Sequence, residues 1–285
     1  MELLHAYGWQ GWVLATGFGL AVGSFLNVVI YRLPVMLDRD WRAQAREVLE
    51  MAAPPPEARF NLSVPRSRCP HCSTNIRVWQ NIPVVSWLSL RGRCSACGAA
   101  ISWRYPAIEL LAALATLASV AVFGFTLLGA CACVFSYMLI ALAGIDLDTT
   151  LLPDQMTYPL LWMGLLVNLF DGGLTPLHHA VVGAVAGYLF LWGTYWGFKL
   201  ITGKEGMGYG DFKLLGALGA WVGWQALPGI VLIAAASGLI FALLRVLTTR
   251  HTTAEPIPFG PFLALGGWVA LMFHDNVIAL VIPTL

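Results

Sequence analysis

Aspartates stand beside apolar stretches at two places in this chain of 285 residues. Asp211 ends a glycine-rich segment, residues 206–211, and Asp146 lies 65 residues earlier with Asp148 and Asp154 close by. An ionisable group at a membrane boundary is costly unless it is solvated or paired, so these residues are functional candidates. Two neighbouring carboxyl groups can share one proton, so that the anion activates water and the acid protonates a scissile carbonyl. The sequence therefore indicates aspartic hydrolysis, with capping acids at the interface as the alternative.

The glycines before Asp211 stand at alternate positions, 206, 208 and 210. Glycine permits unusual backbone dihedrals and lets a second backbone approach closely. We therefore predict that Gly206, Gly208 and Gly210 contact substrate, and we include Lys213 from the same segment. The alternative is a flexible turn between two helices that ends in Asp211 as the N-cap residue.

Four cysteines predict a metal site. They form two CxxC pairs, Cys69 with Cys72 and Cys94 with Cys97, with 21 residues between the pairs. This spacing is close to that of a structural tetrahedral zinc site, and four thiolates leave no open position for catalysis. The alternatives are disulfides or redox-active dithiols, or a site in which His71 replaces one cysteine. A cytoplasmic location for this loop, argued below, disfavours disulfides.

Composition identifies the class of protein. Hydrophobic residues make up 58% of the chain and charged residues 11%, and the mean hydropathy is +0.73. A soluble domain carries about 25% charged residues. The chain is therefore predicted to be an all-α polytopic membrane protein with about eight transmembrane helices and a small zinc-binding cytoplasmic loop domain. The predicted spans are residues 10–31, 106–124, 126–145, 155–170, 177–199, 212–226, 228–247 and 259–282.

The distribution of positive charge predicts the orientation. Eleven of the 16 lysines and arginines lie between Arg32 and Arg104, and residues 1–31 contain none. The positive-inside rule then places the N-terminus outside and the arginine-rich loop in the cytoplasm. Residues 212–247 could form one helix, but a break at Pro228 into two spans keeps Arg245 and Arg250 on the cytoplasmic side.

The predicted organisation has three parts. Residues 1–31 form the first span, residues 32–105 a cytoplasmic zinc-binding loop domain, and residues 106–285 a membrane domain of seven helices. Within the loop domain, residues 38–53 are predicted to form a surface helix that stops at three consecutive prolines, 54–56. Topology and attraction to anionic lipid headgroups account for the arginines, so membrane lipid is the predicted partner and nucleic acid is not.

These motifs together resemble a known family. In chain order they are residues 23–34 (GSFLNVVIYRLP), the paired CxxC loop, residues 104–109 (RYPAIE), Asp146 six residues before Leu152, and residues 206–213 (GMGYGDFK). The chain resembles the bifunctional prepilin peptidases of type IV pilus and type II secretion systems, which are membrane aspartic proteases with a Gly-x-Gly-Asp motif. The resemblance runs nearly from end to end.

The resemblance implies a function. Such enzymes cut the basic leader of type IV prepilins and pseudopilins after a glycine at the cytoplasmic face of the inner membrane. They then methylate the new N-terminal residue, usually Phe, with S-adenosylmethionine. Carried over to this chain, the catalytic residues are Asp146 and Asp211, because Asp148 lies too close to the Leu-Pro pair that follows. Gly92 and Glu109 are implied for the methyltransferase, with a turn glycine and an interfacial acid as the simpler interpretations.

Other functions stay open at this point. A peptidase without methyltransferase activity would be expected to lack the cysteine loop. A transporter would require polar groups near the middle of the bilayer and internal repeats, which the sequence does not show. A membrane scaffold would need neither aspartate.

Overall fold

The computed structural model describes residues 2–51, 58–170, 172–248 and 257–280, with side chains from residue 8 onward. Within these residues the regular structure is helical apart from two isolated β-bridges, which confirms the all-α prediction. Two short 3-10 helices occupy Val78–Asn81 and Trp224–Ala226. The α-helices are α1 (Glu2–Val48), α2 (Val85–Ser89), α3 (Arg104–Phe123), α4 (Leu127–Thr149), α5 (Asp154–Val167), α6 (Leu177–Thr202), α7 (Tyr209–Val222), α8 (Leu227–Thr248), α9 (Gly260–Met272) and α10 (His274–Ala279).

Five of these helices, α1, α3, α4, α6 and α8, are long and apolar enough to cross a membrane. Helix α8 also exposes large apolar side chains, including Leu243 and Leu247, as a helix in contact with lipid does. The chain is a multi-pass membrane protein. Helices α5, α7 and α9 contain only 13 or 14 residues, so the count of eight spans stays a prediction. The last residues of the predicted span 259–282 lie outside the described part of the chain, as does Arg250.

The chain divides into two compact units, residues 1–121 and 122–285. In the first unit, α1 continues through Pro34 to Val48, so the predicted first span and the predicted surface helix belong to one helix. It ends at Val48 and not at residue 53, and Glu50 has a positive φ of 50°. An ion pair one turn apart, Arg42 to Asp38 at 3.0 Å, accompanies the exposed part of this helix. The three prolines at 54–56 lie outside the described residues, and the predicted three-part division stays a prediction.

Arg32 is buried in the first unit, with 7% of its surface exposed. Its guanidinium donates to the carbonyl oxygen of Asn61 at 2.9 Å and to that of Pro65 at 2.7 Å. The side chain also lies over the ring of Phe60. The sequence analysis explained the arginines of this region by topology and by attraction to lipid headgroups. In the structure it also holds the segment that leads into the first cysteine pair.

Glycines bring helices α6 and α7 of the second unit into close contact. A Cβ atom on Gly187 would lie 2.7 Å from the backbone oxygen of Leu215, and Gly183 meets the backbone of Gly219 in the same way. Such small residues allow two helix backbones to approach closely. Helix α9 packs against α4, α7 and α8, and therefore contacts both helices that carry the predicted catalytic aspartates.

Two separate helices occupy residues 212–247, as predicted, but the position of the break is different. The chain turns at Gly223, where φ is 80°, and a short 3-10 segment leads into α8. Pro228 is the second residue of α8, where a missing N–H costs no helical hydrogen bond. The break therefore follows from a left-handed glycine and not from the proline.

Candidate active site

Asp146 lies in the last turn of α4 and only 5% of its surface is exposed. The helix ends at Thr150, which adopts a left-handed conformation with φ 54°. The Oδ2 atom of Asp146 accepts a hydrogen bond of 2.9 Å from the backbone N–H of Gly260, the first residue of α9. The sequence predicted that Asp146 would follow its span. In the structure it belongs to the helix itself.

Asp211 lies in the first turn of α7 and is 6% exposed. Gly208 is the N-cap residue and its N–H donates to Asp211 Oδ2 at 3.2 Å, so the alternative of Asp211 as the N-cap residue is wrong. The helix begins before the aspartate because Gly208 has the extended backbone of an N-cap residue, with φ −78° and ψ 149°. The other oxygen, Oδ1, is buried and has no hydrogen-bond partner among the described residues.

The second unit brings Asp146 and Asp211 together from the ends of two different helices. Leu152 is a neighbour of both sites. A Cβ atom on Gly210, next to Asp211, would lie 2.6 Å from Leu152 Cβ. One on Gly260, which bonds Asp146, would lie 3.2 Å from Leu152 Cδ1. Two buried carboxyl groups that lie close together cannot both ionise cheaply, and such a pair is stabilised by one shared proton. This is the arrangement that can activate water and protonate a carbonyl within one site.

The other two nearby aspartates are placed differently. Asp148 is exposed, two residues beyond the buried Asp146, because the helix directs it to another face. Asp154 is the first residue of α5, where its carboxylate interacts favourably with the helix dipole. It also accepts a hydrogen bond of 2.6 Å from Lys213 Nζ, so Lys213 joins α7 to α5. A substrate contact for Lys213 stays a prediction.

The glycine segment before Asp211 is tightly packed at two of its three positions. A Cβ atom on Gly206 would lie 2.8 Å from the ring of Phe198, and one on Gly210 would lie 2.6 Å from Leu152 Cβ. A Cβ atom on Gly208 would meet only Asp211 Oδ2, at 3.6 Å. Open space at Gly208 beside the carboxyl group leaves room for another backbone, in line with the predicted substrate contact.

The four cysteines predicted to bind metal come together in the first unit. Their sulfur atoms all lie within 4.8 Å of one another, and those of Cys69 and Cys97 are 3.8 Å apart. Each CxxC pair forms a turn that we call a knuckle, and the two knuckles have the same backbone hydrogen bond. The N–H groups of Ser73 and Gly98 each donate to the carbonyl oxygen of the first cysteine of their pair. An antiparallel bridge flanks each pair, Arg68 with Asn75 and Arg93 with Ala100.

The sulfur atoms fit a zinc ion in spacing and in chemistry. Zinc–sulfur bonds of about 2.3 Å in a tetrahedron place the sulfurs about 3.8 Å apart. Hydrogen bonds with the side chain and backbone of Thr74 lower the pKa of Cys72 to about 6. Hydrogen bonds from the backbone amides of Cys97 and Ala96 lower the pKa of the Cys94 thiol. Both changes favour thiolate, the form that binds zinc. Burial and hydrogen bonds with the other three thiols raise the pKa of Cys97 to about 11, so the fit to zinc rests on the spacing of the sulfurs.

We expect purified protein to contain one zinc ion for each chain. Serine at Cys69, Cys72, Cys94 or Cys97 should reduce the zinc content and make the loop more sensitive to protease, because metal binding contributes to folding of the loop. Metal analysis and limited proteolysis measure these effects. Cys131→Ser, a change within α4, is the control and should keep its zinc. A zinc content near zero in freshly purified wild-type protein would contradict the assignment.

The two residues implied for the methyltransferase also lie in the first unit. Glu109 is 7% exposed and its Oε2 atom accepts a hydrogen bond of 2.7 Å from the backbone N–H of Val84. Val84 has a positive φ of 57°, so Glu109 holds a strained residue between the two knuckles. Gly92 has φ 65°, and a Cβ atom there would lie 2.9 Å from the Trp87 ring. Both residues shape the loop, and a role in methyl transfer stays a prediction.

Gly260 is the contact that sequence reasoning missed. Its N–H bonds Asp146 across 114 residues of chain, a separation at which no local pattern operates. The Gly-Pro pair at 260 and 261 is typical of a helix start, since proline is favoured in the first turn. That signal could have located the helix end, but not the aspartate beside it.

Comparison with known proteins identifies relatives over nearly the whole chain. Residues 18–123 match the bacterial peptidase A24 N-terminal domain, and residues 133–243 match the type IV leader peptidase family. A prepilin leader peptidase/N-methyltransferase of Aeromonas salmonicida (strain A449) is 53% identical and the match covers 97% of this chain and 96% of that protein. The protein of the same name from Stutzerimonas stutzeri is 53% identical, and the match covers 92% of this chain and 90% of that protein. The one from Pseudomonas aeruginosa is 52% identical, over 91% of this chain and 89% of that protein. No solved structure matches this chain. With the motifs, the paired aspartates and these relatives in agreement, this chain belongs to the type IV leader peptidase family.

Proposed function

We propose that this protein removes the basic leader peptide of type IV prepilins and then methylates the newly exposed N-terminus. The observation that carries the proposal is the buried pair of Asp146 and Asp211, which the second unit assembles from two helix ends. The relatives support both activities through their name, prepilin leader peptidase/N-methyltransferase. The protein is thus an aspartic endopeptidase and an N-methyltransferase.

The aspartate pair can carry out hydrolysis with the one proton that it shares. The ionised carboxylate accepts a proton from water while the water oxygen attacks the carbonyl carbon of the scissile bond. The protonated carboxyl group donates to the carbonyl oxygen, and a tetrahedral intermediate forms. A proton then passes to the leaving nitrogen as the C–N bond breaks. No covalent intermediate with the enzyme is needed.

The location of the reaction follows from the distribution of charge. The arginine-rich loop and the other positive residues favour a cytoplasmic side for the loop, for Asp146 and for Asp211, with the N-terminus in the periplasm of an inner-membrane protein. A prepilin is an apolar helix preceded by a basic leader, so its cleavage site rests near this interface. Pseudopilins of type II secretion systems have the same chemistry and are the second class of substrate. Membrane lipid surrounds the helices.

The methyl transfer requires a second site. S-adenosylmethionine supplies the methyl group, and the free N-terminal amine of the cleaved pilin is the nucleophile. We assign this activity to the first unit. There the cysteine tetrad, which consists of Cys69, Cys72, Cys94 and Cys97, would hold zinc as a structural ion. Glu109 and Gly92 maintain the loop between the knuckles, so a site for the cofactor built on this loop depends on them. A peptidase without the transferase would be expected to lack this loop.

The test is the conversion of a prepilin by purified protein in lipid, with labelled S-adenosylmethionine. Leader cleavage and methyl incorporation into the mature product should both appear, and neither should appear without the enzyme. Cleavage without any methylation would support the alternative of a peptidase alone. Absence of both activities on several prepilins would contradict the proposed function.

We expect the residue before the cleaved bond to be selected for its size. Once a substrate backbone fills the open space at Gly208, a side chain there would have to enter between it and the aspartates, where an added methyl group costs about 1–3 kcal/mol if packing is tight. Replacement of the substrate glycine by alanine should slow cleavage, and replacement by valine should nearly stop it. Initial rates on the three prepilins measure this effect. Equal rates would show that no tight subsite exists.

A further inference from the structure

Asp146 is held by a residue that lies outside every motif considered above. The backbone N–H of Gly260 donates to Asp146 Oδ2 at 2.9 Å, in a buried position. Pro261 has no N–H, and the N–H groups of Phe262 and Leu263 both bond to the carbonyl of Phe259. Within this first turn, Gly260 is therefore the donor that serves Asp146. The positive end of the α9 helix dipole adds to the stabilisation of a negative charge there.

The contact leaves no room for a side chain. A Cβ atom on Gly260 would lie 2.6 Å from Asp146 Oδ2 and 3.1 Å from its Cγ atom. It would also lie 3.2 Å from Leu152 Cδ1, so it could not escape by a small shift. Any other residue at this position must displace the carboxyl group of Asp146.

Helix α9 is itself fixed against the helices that carry both aspartates. Trp268 Nε1 donates to Ser136 Oγ of α4 at 3.1 Å. On another face, a Cβ atom on Gly267 would overlap Leu218 of α7, which shows how closely these two helices pack. The N-terminus of α9 is thus a rigid support for Asp146, at a defined position relative to both α4 and α7.

The two aspartates are not equivalent in this arrangement. Asp146 accepts from a distant, rigid helix end, whereas Asp211 accepts a longer bond of 3.2 Å from Gly208 of its own turn. Asp211 Oδ1, although buried, has no partner among the described residues. A carboxylate that accepts a short N–H bond is stabilised as the anion, whereas a buried carboxyl oxygen without a donor, such as Asp211 Oδ1, is better accommodated when protonated.

We propose that Gly260 is a positioning residue for peptide cleavage: its N–H orients Asp146 as the charged, water-activating member of the pair, and the shared proton stays on Asp211. This inference rests on the proposed peptidase function. It assigns Gly260 no contact with substrate. Changes at this position should therefore act on the chemical step and not on prepilin binding.

The test compares Gly260→Ala with Gly266→Ala in the same helix. Both changes place a Cβ atom 2.6 Å from a neighbour, but at Gly266 that neighbour is the backbone oxygen of Ile230 on α8. We expect Gly260→Ala to displace the Asp146 carboxyl group from the N–H and to lower kcat for cleavage about tenfold to a hundredfold, as loss of a hydrogen bond to a charged group does. KM for prepilin should stay within about twofold. Gly266→Ala should lower thermal stability and leave kcat of the folded protein within about threefold.

A second variant separates the hydrogen bond from the steric effect. Incorporation of glycolate in place of Gly260 during cell-free synthesis into liposomes replaces the N–H by oxygen and adds no side chain. The same replacement at position 266 controls for a backbone ester within α9. The ester at 260 should lower kcat at least about tenfold more than the ester at 266, with KM unchanged.

Each outcome is decisive for this inference. A normal kcat in Gly260→Ala, or equal effects of the two esters, would overturn the role of Gly260 while wild-type cleavage leaves the proposed function intact. A weaker binding of prepilin with an unchanged kcat would also overturn it, because a residue that only positions Asp146 should affect the chemical step. Failure of the wild-type protein to cleave would instead reject the function itself.

Discussion

Asparagine at either Asp146 or Asp211 is expected to abolish leader cleavage. In the proposed mechanism each change removes one of the two buried carboxyl groups, so either the base that activates water or the acid that protonates the carbonyl is lost. General acid–base groups contribute about 10²–10⁴-fold to rate, and both roles depend on the pair. Cleavage of prepilin by purified variants in lipid, normalised to the folded enzyme, measures the loss. Expression and membrane insertion should stay at wild-type levels, because asparagine is close to aspartate in shape.

Asp148→Asn is the matched control for this prediction. Asp148 stands two residues from Asp146 on the same helix but is exposed, so its replacement should leave substantial activity. The comparison holds the chemistry of the substitution constant and changes only the burial of the residue. An inactive Asp148→Asn together with an active Asp146→Asn would show that the pair has been assigned wrongly.

Asp211→Asn should still methylate a pilin whose leader has already been removed. Aspartates that activate water have no task in moving a methyl group to an amine, and the pair lies in the second unit whereas the cysteine tetrad lies in the first. The first reaction is needed only to expose the N-terminal amine, and a precleaved pilin supplies that amine directly. Methyl incorporation from labelled S-adenosylmethionine should therefore match the wild-type rate.

The reverse variant should show the opposite pattern. Serine at Cys69 and Cys94 together removes one ligand from each knuckle and should loosen the loop. Methylation of precleaved pilin should then fall more than cleavage of prepilin. Complete loss of methylation in properly folded Asp211→Asn would mean that the two sites overlap, and the assignment of methyl transfer to the loop would be withdrawn.

The cysteine loop could be predicted from sequence in detail. Two CxxC pairs place their sulfurs by local turns, and each turn needs only a few neighbouring residues. The structure confirms that the four sulfurs converge. The continuity of α1 could not be predicted in the same way, because a rise in charge after residue 31 marks the end of an apolar span and does not mark the end of a helix. Likewise Pro228 was a plausible break, but a proline in the first turn of α8 is tolerated and Gly223 makes the turn.

The sequence by itself determined the class of protein, the residue types at both sites and the family, because composition, hydropathy and short motifs are local properties. The tertiary structure decided which carboxyl groups meet and what holds them. It buries Asp146 and exposes Asp148, it pairs Lys213 with Asp154, and it brings Gly260 to Asp146 from 114 residues away. These relations depend on the rotation and packing of α4, α5, α7 and α9 against one another. Helix packing joins residues that are distant in the chain, and no spacing within one segment encodes such a contact.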